Sequence, residues 1–193
     1  MLKFSRIEQA GRSMVEMLGV LAIIGVLSVG GISGYSKAMA KFKLTKAQDQ
    51  MSMLLINIRT AYATASSYSG LETETAYQYN ILPQDMVQTS SVFVNAFGGA
   101  VEIGTGSKTD AADVSRFYIK FSGLGKETCA SLASSDWGTE GLAGIMVGTA
   151  GYHTPGGGGD GAKGKLPITL KDANSEGYCD TKDATNTITW YYY

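Results

Sequence analysis

The sequence predicts an α+β protein, a long N-terminal α-helix whose C-terminal half packs on an antiparallel β-sheet head. Three observations carry this. No proline occurs before Pro83, so nothing in the first seventy-odd positions forces a helix to break. Within that stretch an all-round apolar segment gives way to a one-sided apolar stripe. Beyond Gly70 the texture changes to short apolar runs divided by Gly, Ser and Asp, and 17 of the 25 glycines fall between Gly98 and Gly164, which favours strands and turns over helices.

The apolar segment comes first. The 22 residues from Ser13 to Gly34 carry one charge, Glu16. As a helix they extend roughly 33 Å, close to the hydrocarbon thickness of a bilayer. Met17, Leu18, Val20, Leu21, Ile23, Ile24, Val26, Leu27 and Val29 are apolar on all sides of the helix, so the segment reads as a membrane span. Charged residues make up only 17% of the whole chain, below the ~25% of soluble domains. The net charge of −1 gives no basic stripe for nucleic acid.

From Leu44 the apolar positions run Leu44, Ala47, Met51, Leu54, Leu55, Ile58, Tyr62 and Ala65, with Lys46, Gln50, Asn57 and Thr64 outside the stripe. Steps of three and four define one face of an amphipathic helix. Gly70, after a serine-rich stretch, is the expected stop. An earlier stripe of Tyr35, Met39 and Phe42 is rotated from the later one by about a third of a turn. The helix is therefore expected to pack on its own head only from about Leu44. Gly25, Gly30, Gly31 and Gly34 each cost a helix about 0.8–1 kcal/mol relative to alanine. They mark either local unwinding or close helix–helix packing.

In the head, strands are expected at Val92–Val94, Val101–Ile103, Phe117–Phe121, Leu142–Val147, Ile168–Leu170 and Ile188–Tyr193, with a short helix at Glu127–Ala133. The cysteines are two, Cys129 and Cys179. An even count in a chain that enters a membrane points to a disulfide in an oxidising compartment; the alternative is two unlinked buried thiols.

The order of signals at the N-terminus is distinctive. Lys3 and Arg6 give a short basic leader, Gly11 precedes the apolar run, and Glu16 stands five residues after it. No small-residue cleavage site follows the run, unlike an ordinary secretory signal. The stretch from Gly11-Arg12-Ser13-Met14-Val15-Glu16 through Leu27 resembles the class III leader of type IV prepilins and pseudopilins. The Leu82-Pro83-Gln84-Asp85-Met86 turn, the Asn95-Ala96-Phe97-Gly98-Gly99 turn and the Phe117-to-Cys129 block resemble the type IVb subgroup that includes thin conjugative pilins.

That resemblance implies the pilin ladle fold, with a leader at 1–11, a protruding transmembrane and assembly segment at 12–43, and a globular head at 44–193. It implies cleavage between Gly11 and Arg12 by a prepilin peptidase that also methylates the new N-terminus. This chain departs from the family in having Arg12 where Phe, Met or Leu is usual. The resemblance further implies that Glu16 pairs with the N-terminal amine of a neighbouring subunit, and that Cys129 and Cys179 enclose the variable, surface-exposed region. A carboxylate in a membrane span costs about 2.5–3.5 kcal/mol on insertion scales, so a paired Glu16 is easier to explain than an isolated one; the alternative is snorkelling to the interface. The implied partners are copies of the same chain in a helical filament, the peptidase, the assembly machinery and the inner membrane before assembly, with no cofactor. The final location is an extracellular pilus.

Catalytic chemistry finds little support in the sequence. His153 is the only histidine and sits beside a glycine run, where an exposed loop is expected. Gly159–Lys165 fits the phosphate-loop spacing, but Leu166 replaces the Ser or Thr that binds magnesium. Asp180, Asp183 and Asn186 supply oxygen ligands for calcium but lack an EF-hand loop, and read as solvated turn residues. Trp190-Tyr191-Tyr192-Tyr193 reads as an aromatic edge on a sheet. The other functions weighed are a secretion-system pseudopilin, a minor pilin, and a membrane-anchored extracytoplasmic enzyme or binding domain.

Overall fold

The computed structural model describes residues 14–149, 151–157, 164–179 and 185–193. Its first helix, α1, runs Met14–Ala61, and the chain divides into two units, Met1–Phe42 and Lys43–Tyr193.

In the second unit, α1 buries Ala47, Met51, Leu54 and Ile58, the heart of the stripe with period three to four. Leu44, Leu55 and Tyr62 pack partly buried against the same core. Each large side chain taken from water contributes about 1.5–3 kcal/mol. Gln50, placed outside the stripe by its polarity, is also buried. Its amide is satisfied at both ends: Nε2 donates to Asp85 Oδ2 at 2.9 Å, and Oε1 accepts from the Ala96 N–H at 2.9 Å. A buried polar group so paired escapes the desolvation penalty, and this one ties the helix to both turns singled out in the sequence.

The helix ends at Ala61, short of Gly70. The Tyr68 N–H donates to the Val114 carbonyl at 2.8 Å and the Tyr68 ring lies 4.6 Å from that of Phe117, so the chain is drawn down onto the sheet first. A one-and-a-half-turn helix α2, Thr73–Gln78, and a 3-10 turn at Gln84–Met86 follow. Strands β1, Val87–Thr89, and β2, Val92–Phe93, form a small antiparallel hairpin. In the next turn Asn95 Oδ1 accepts from the Phe97 and Gly99 N–H groups while its Nδ2 donates to the Ser122 carbonyl. A Cβ at Gly99 would run into that carbonyl, so the turn requires glycine there.

Among the described residues the main sheet has six strands: β3 (Val101–Thr105), β4 (Phe117–Leu124), β5 (Leu142–Val147), β6 (Gly151–Thr154), β7 (Gly164–Lys165) and β8 (Asn186–Tyr192). Their spatial order is β3-β4-β8-β5-β6-β7. All neighbours are antiparallel except β6 and β7, which are parallel. The alternation of β4 turns Phe117, Ile119 and Phe121 into the core, and that of β8 does the same for Ile188, Trp190 and Tyr192. β8 is thus no edge. It lies between β4 and β5, and Trp190 packs edge-on against Phe121 and Trp137. Burial pushes the Tyr192 hydroxyl up to about 12, opposed by nearby Arg59.

Helix α3, Lys126–Ala133, occupies the position expected for it. The strand expected at Ile168–Leu170 is instead a buried Ile168 followed by a short helix α4, Leu170–Ala173. Thr169 Oγ1 accepts from the Asp172 N–H at 3.2 Å, an N-cap that starts a helix where the short apolar run alone implied a strand.

Candidate functional site

The first feature is the membrane-length part of α1. Large apolar side chains from Met14 to Val29 are exposed, from 51% at Val20 to 82% at Met14. An 18-residue window has a mean hydropathy of 2.2, none of it buried. Among the described residues α1 is the one helix long and apolar enough to cross a membrane. Glu16 lies exposed within the described part of α1. A Cβ at Gly25, Gly30, Gly31 or Gly34 would meet nothing, so within a single chain these glycines relieve no clash. Gly11 and Arg12, the two residues expected to flank a cleavage point, lie outside the described residues.

The second feature is the disulfide. Cys129 on α3 and Cys179 beyond α4 are bonded, with Cα atoms 5.6 Å apart and a sequence separation of 50. Both cysteines are fully buried. The bridge fastens α3 to the chain beyond α4 and closes a loop that contains β5, β6 and β7.

His153 lies inside this loop. It is not exposed: the alternation of β6 points Gly151 and His153 inward, and His153 is 3% accessible. Its Nε2 is 3.1 Å from the Tyr178 hydroxyl, and the Gly164 backbone packs closely on its Nδ1 side. The neighbouring glycines misled the sequence reading, because here glycine permits close packing rather than marking open loop. Burial lowers the His153 pKa below 6.5, opposed by the Lys165 backbone and by Asp172.

Among the described residues, the other chemical candidates do not come together. Gly164 and Lys165 of the phosphate-loop lookalike form β7, Leu166 is buried, and residues 159–163 lie outside the described residues. Asp180 and Asp183 also lie outside them. Asn186 is buried in β8 rather than solvated in a turn, and its Nδ2 donates to the Leu124 carbonyl at 2.9 Å. Gln50 is the residue that sequence reasoning missed. Its signal was there, a lone polar position flanked by Ala47, Met51 and Leu54.

A family description, PilS N terminal, matches residues 42–192, nearly all of the second unit. The chain belongs to the PilS N-terminal family. Over 186 residues it is 26% identical to the major structural subunit of bundle-forming pilus of Escherichia coli O127:H6 (strain E2348/69 / EPEC), covering 95% of this chain and 94% of that relative. The corresponding subunit of Escherichia coli O111:H- gives the same identity and coverage. Among solved structures, the type IV b pilin from Salmonella typhi superimposes with a TM-score of 0.52 at 21% identity, over 78% of this chain and 97% of that one. At that identity the likeness speaks for the fold, and the fold of this PilS N-terminal family member is that of a type IV pilin: a long N-terminal helix followed by an antiparallel sheet.

Proposed function

We propose that this chain is a structural subunit of a type IV pilus, made as an inner-membrane precursor, cut between Gly11 and Arg12, and polymerised through residues 12–43 into an extracellular filament. The observation that carries the proposal is the exposure of every large apolar side chain from Met14 to Val29 on one continuous helix. Such a surface is stable only in lipid or against other helices of the same kind. The names of the two Escherichia coli relatives, each a major structural subunit of bundle-forming pilus, support the same role. The role is structural rather than catalytic, and residues 44–193 form the displayed head.

On this reading a prepilin peptidase exposes the Arg12 amine, and Glu16 pairs with that amine on a neighbouring subunit. The pairing offsets the cost of carrying a carboxylate within an apolar bundle. The methyltransferase step and the assembly machinery come with the same proposal. The test is Glu16→Ala in cells: subunit levels in the membrane stay normal and surface filaments disappear. Filaments formed at normal yield by Glu16→Ala would show that the carboxylate has no part in assembly.

A further inference from the structure

Just past the membrane-length segment of α1 stand lysines with no acidic residue to match them. Lys37, Lys41, Lys43 and Lys46 follow one another, and the sequence holds no Asp or Glu between Glu16 and Asp49. Lys46 is accounted for, since its Nζ lies 3.1 Å from Asp85 Oδ2. Lys37, Lys41 and Lys43 are exposed and make no ion pair among the described residues. Lys37 and Lys41 are also i,i+4 neighbours, a like-charge spacing that weakens a helix.

Topology does not explain these charges. Orientation in a membrane follows the excess of Lys and Arg on the cytoplasmic flank of a span. Before the span the sequence has Lys3, Arg6 and Arg12, so in the orientation proposed above the translocated flank is the more basic of the two. The lysines stand there against the topological preference, which points to a partner on that side.

Geometry narrows the partner. At about 1.5 Å per residue the Cα atoms of Lys37, Lys41 and Lys43 stand roughly 5, 11 and 14 Å beyond Gly34. Side chains on a helix lean toward its N-terminus, here toward the bilayer, and a lysine stem carries its ammonium about one turn, or ~5 Å, in that direction. The three ammonium groups therefore fall roughly 0–9 Å past the apolar segment, where the headgroup layer is about 5–8 Å deep. Successive residues turn by about 100°, which sets Lys41 about 40° from Lys37 and Lys43 about 120° from it on the other side. Charges spread around a helix suit a medium that surrounds it, whereas one protein surface would meet one side only. Tyr35, exposed two residues before Lys37, is a residue type that sits at headgroup level. An ammonium is a compact point charge with three donors, matched to the phosphate oxygens of a lipid headgroup.

We propose that Lys37, Lys41 and Lys43 form a collar that binds the phosphate groups of anionic phospholipids on the translocated side of the membrane and so fixes the depth at which the precursor sits. The collar rests on the reading of this chain as a membrane-inserted precursor and names the partner of that segment.

The test places the full chain in phosphatidylcholine bilayers with a trace of spin-labelled phosphatidylglycerol or spin-labelled phosphatidylcholine. Electron paramagnetic resonance reads the fraction of each label held at the protein. A lysine near an anionic surface is worth about fivefold in association, and averaged over all lipid positions around the helix phosphatidylglycerol is favoured by at least about threefold at low salt. The preference is lost in Lys37→Gln/Lys41→Gln/Lys43→Gln and in high salt. It is kept in Lys37→Arg/Lys41→Arg/Lys43→Arg, and in Lys3→Gln/Arg6→Gln, which removes basic charge only from the other flank. Equal association of the two lipids overturns the proposal. So does a preference that the three glutamines leave unchanged, since basic residues before the span then hold the lipid. Alkaline extraction separates the two levels of the account: a chain washed out of the bilayers overturns the membrane reading and the collar together, whereas a chain retained without lipid preference overturns the collar alone.

Discussion

Replacing Cys129 and Cys179 together by alanine removes a covalent tie between α3 and the chain beyond α4, across a separation of 50 residues. Both side chains are small and fully buried, so lost packing is a minor part of the effect. In the loop-entropy account, freeing a loop of this length costs about 4 kcal/mol at 25 °C. For a domain of this size each kcal/mol moves the melting temperature by about 2–4 °C, giving an expected drop of about 8–16 °C. The assay is thermal unfolding of the full chain in amphipol, followed by near-UV circular dichroism, with the reduced wild-type chain as a second arm. A drop below about 3 °C in both arms would refute the reasoning, because it would mean that the loop is already restrained in the unfolded chain or that β5 to β7 contribute little to the cooperative unit.

Two further predictions concern buried polar groups. Gln50→Leu leaves the Ala96 N–H without its partner and the Asp85 carboxylate with Lys46 alone, and is expected to lower stability by about 1–3 kcal/mol in denaturant titration. Asp85 then rises in pKa: burial acts to raise it, while hydrogen bonds from Gln50 and Lys46 and the Lys46 charge hold it below its ordinary value. His153 is buried in its neutral form, with a folded-state pKa below the 6.5 of the free side chain. Its contribution is fully present above about pH 6.5 and is lost as pH falls through the lower folded-state value. The denaturant midpoint should therefore fall between pH 7 and pH 5, and His153→Gln should flatten that part of the profile.

How much of this was legible in the sequence follows from the range of each interaction. The stripe from Ala47 to Ile58 and the apolar run from Met14 to Val29 are local patterns, and both could be read directly. Strands β4 and β8 announce themselves by alternation of aromatic and polar residues. Helix α3 was legible for a like reason. The place of β8 between β4 and β5 was not, because strand order is set by pairing between segments far apart in the chain. The burial of His153 depends on Tyr178 from beyond α4 and on a glycine of β7, neither of which any local window contains. Gln50 looked like surface because its polarity is matched by partners 35 and 46 positions away. The early end of α1 has the same origin, since Tyr68 is fixed by Val114 rather than by its own neighbours. At Leu170 the error was local: a short apolar run was read as a strand, whereas Thr169 caps and starts a helix there.

The central claim, that the chain is processed before Arg12 and polymerised through the apolar half of α1, is tested most directly by the intact mass of this chain in filaments sheared from the cell surface. The account predicts that the chain is abundant in the sheared fraction and that its mass corresponds to residues 12–193, with or without one added methyl group. A filament subunit that retains residues 1–11, or surface filaments in which this chain is absent, would contradict it.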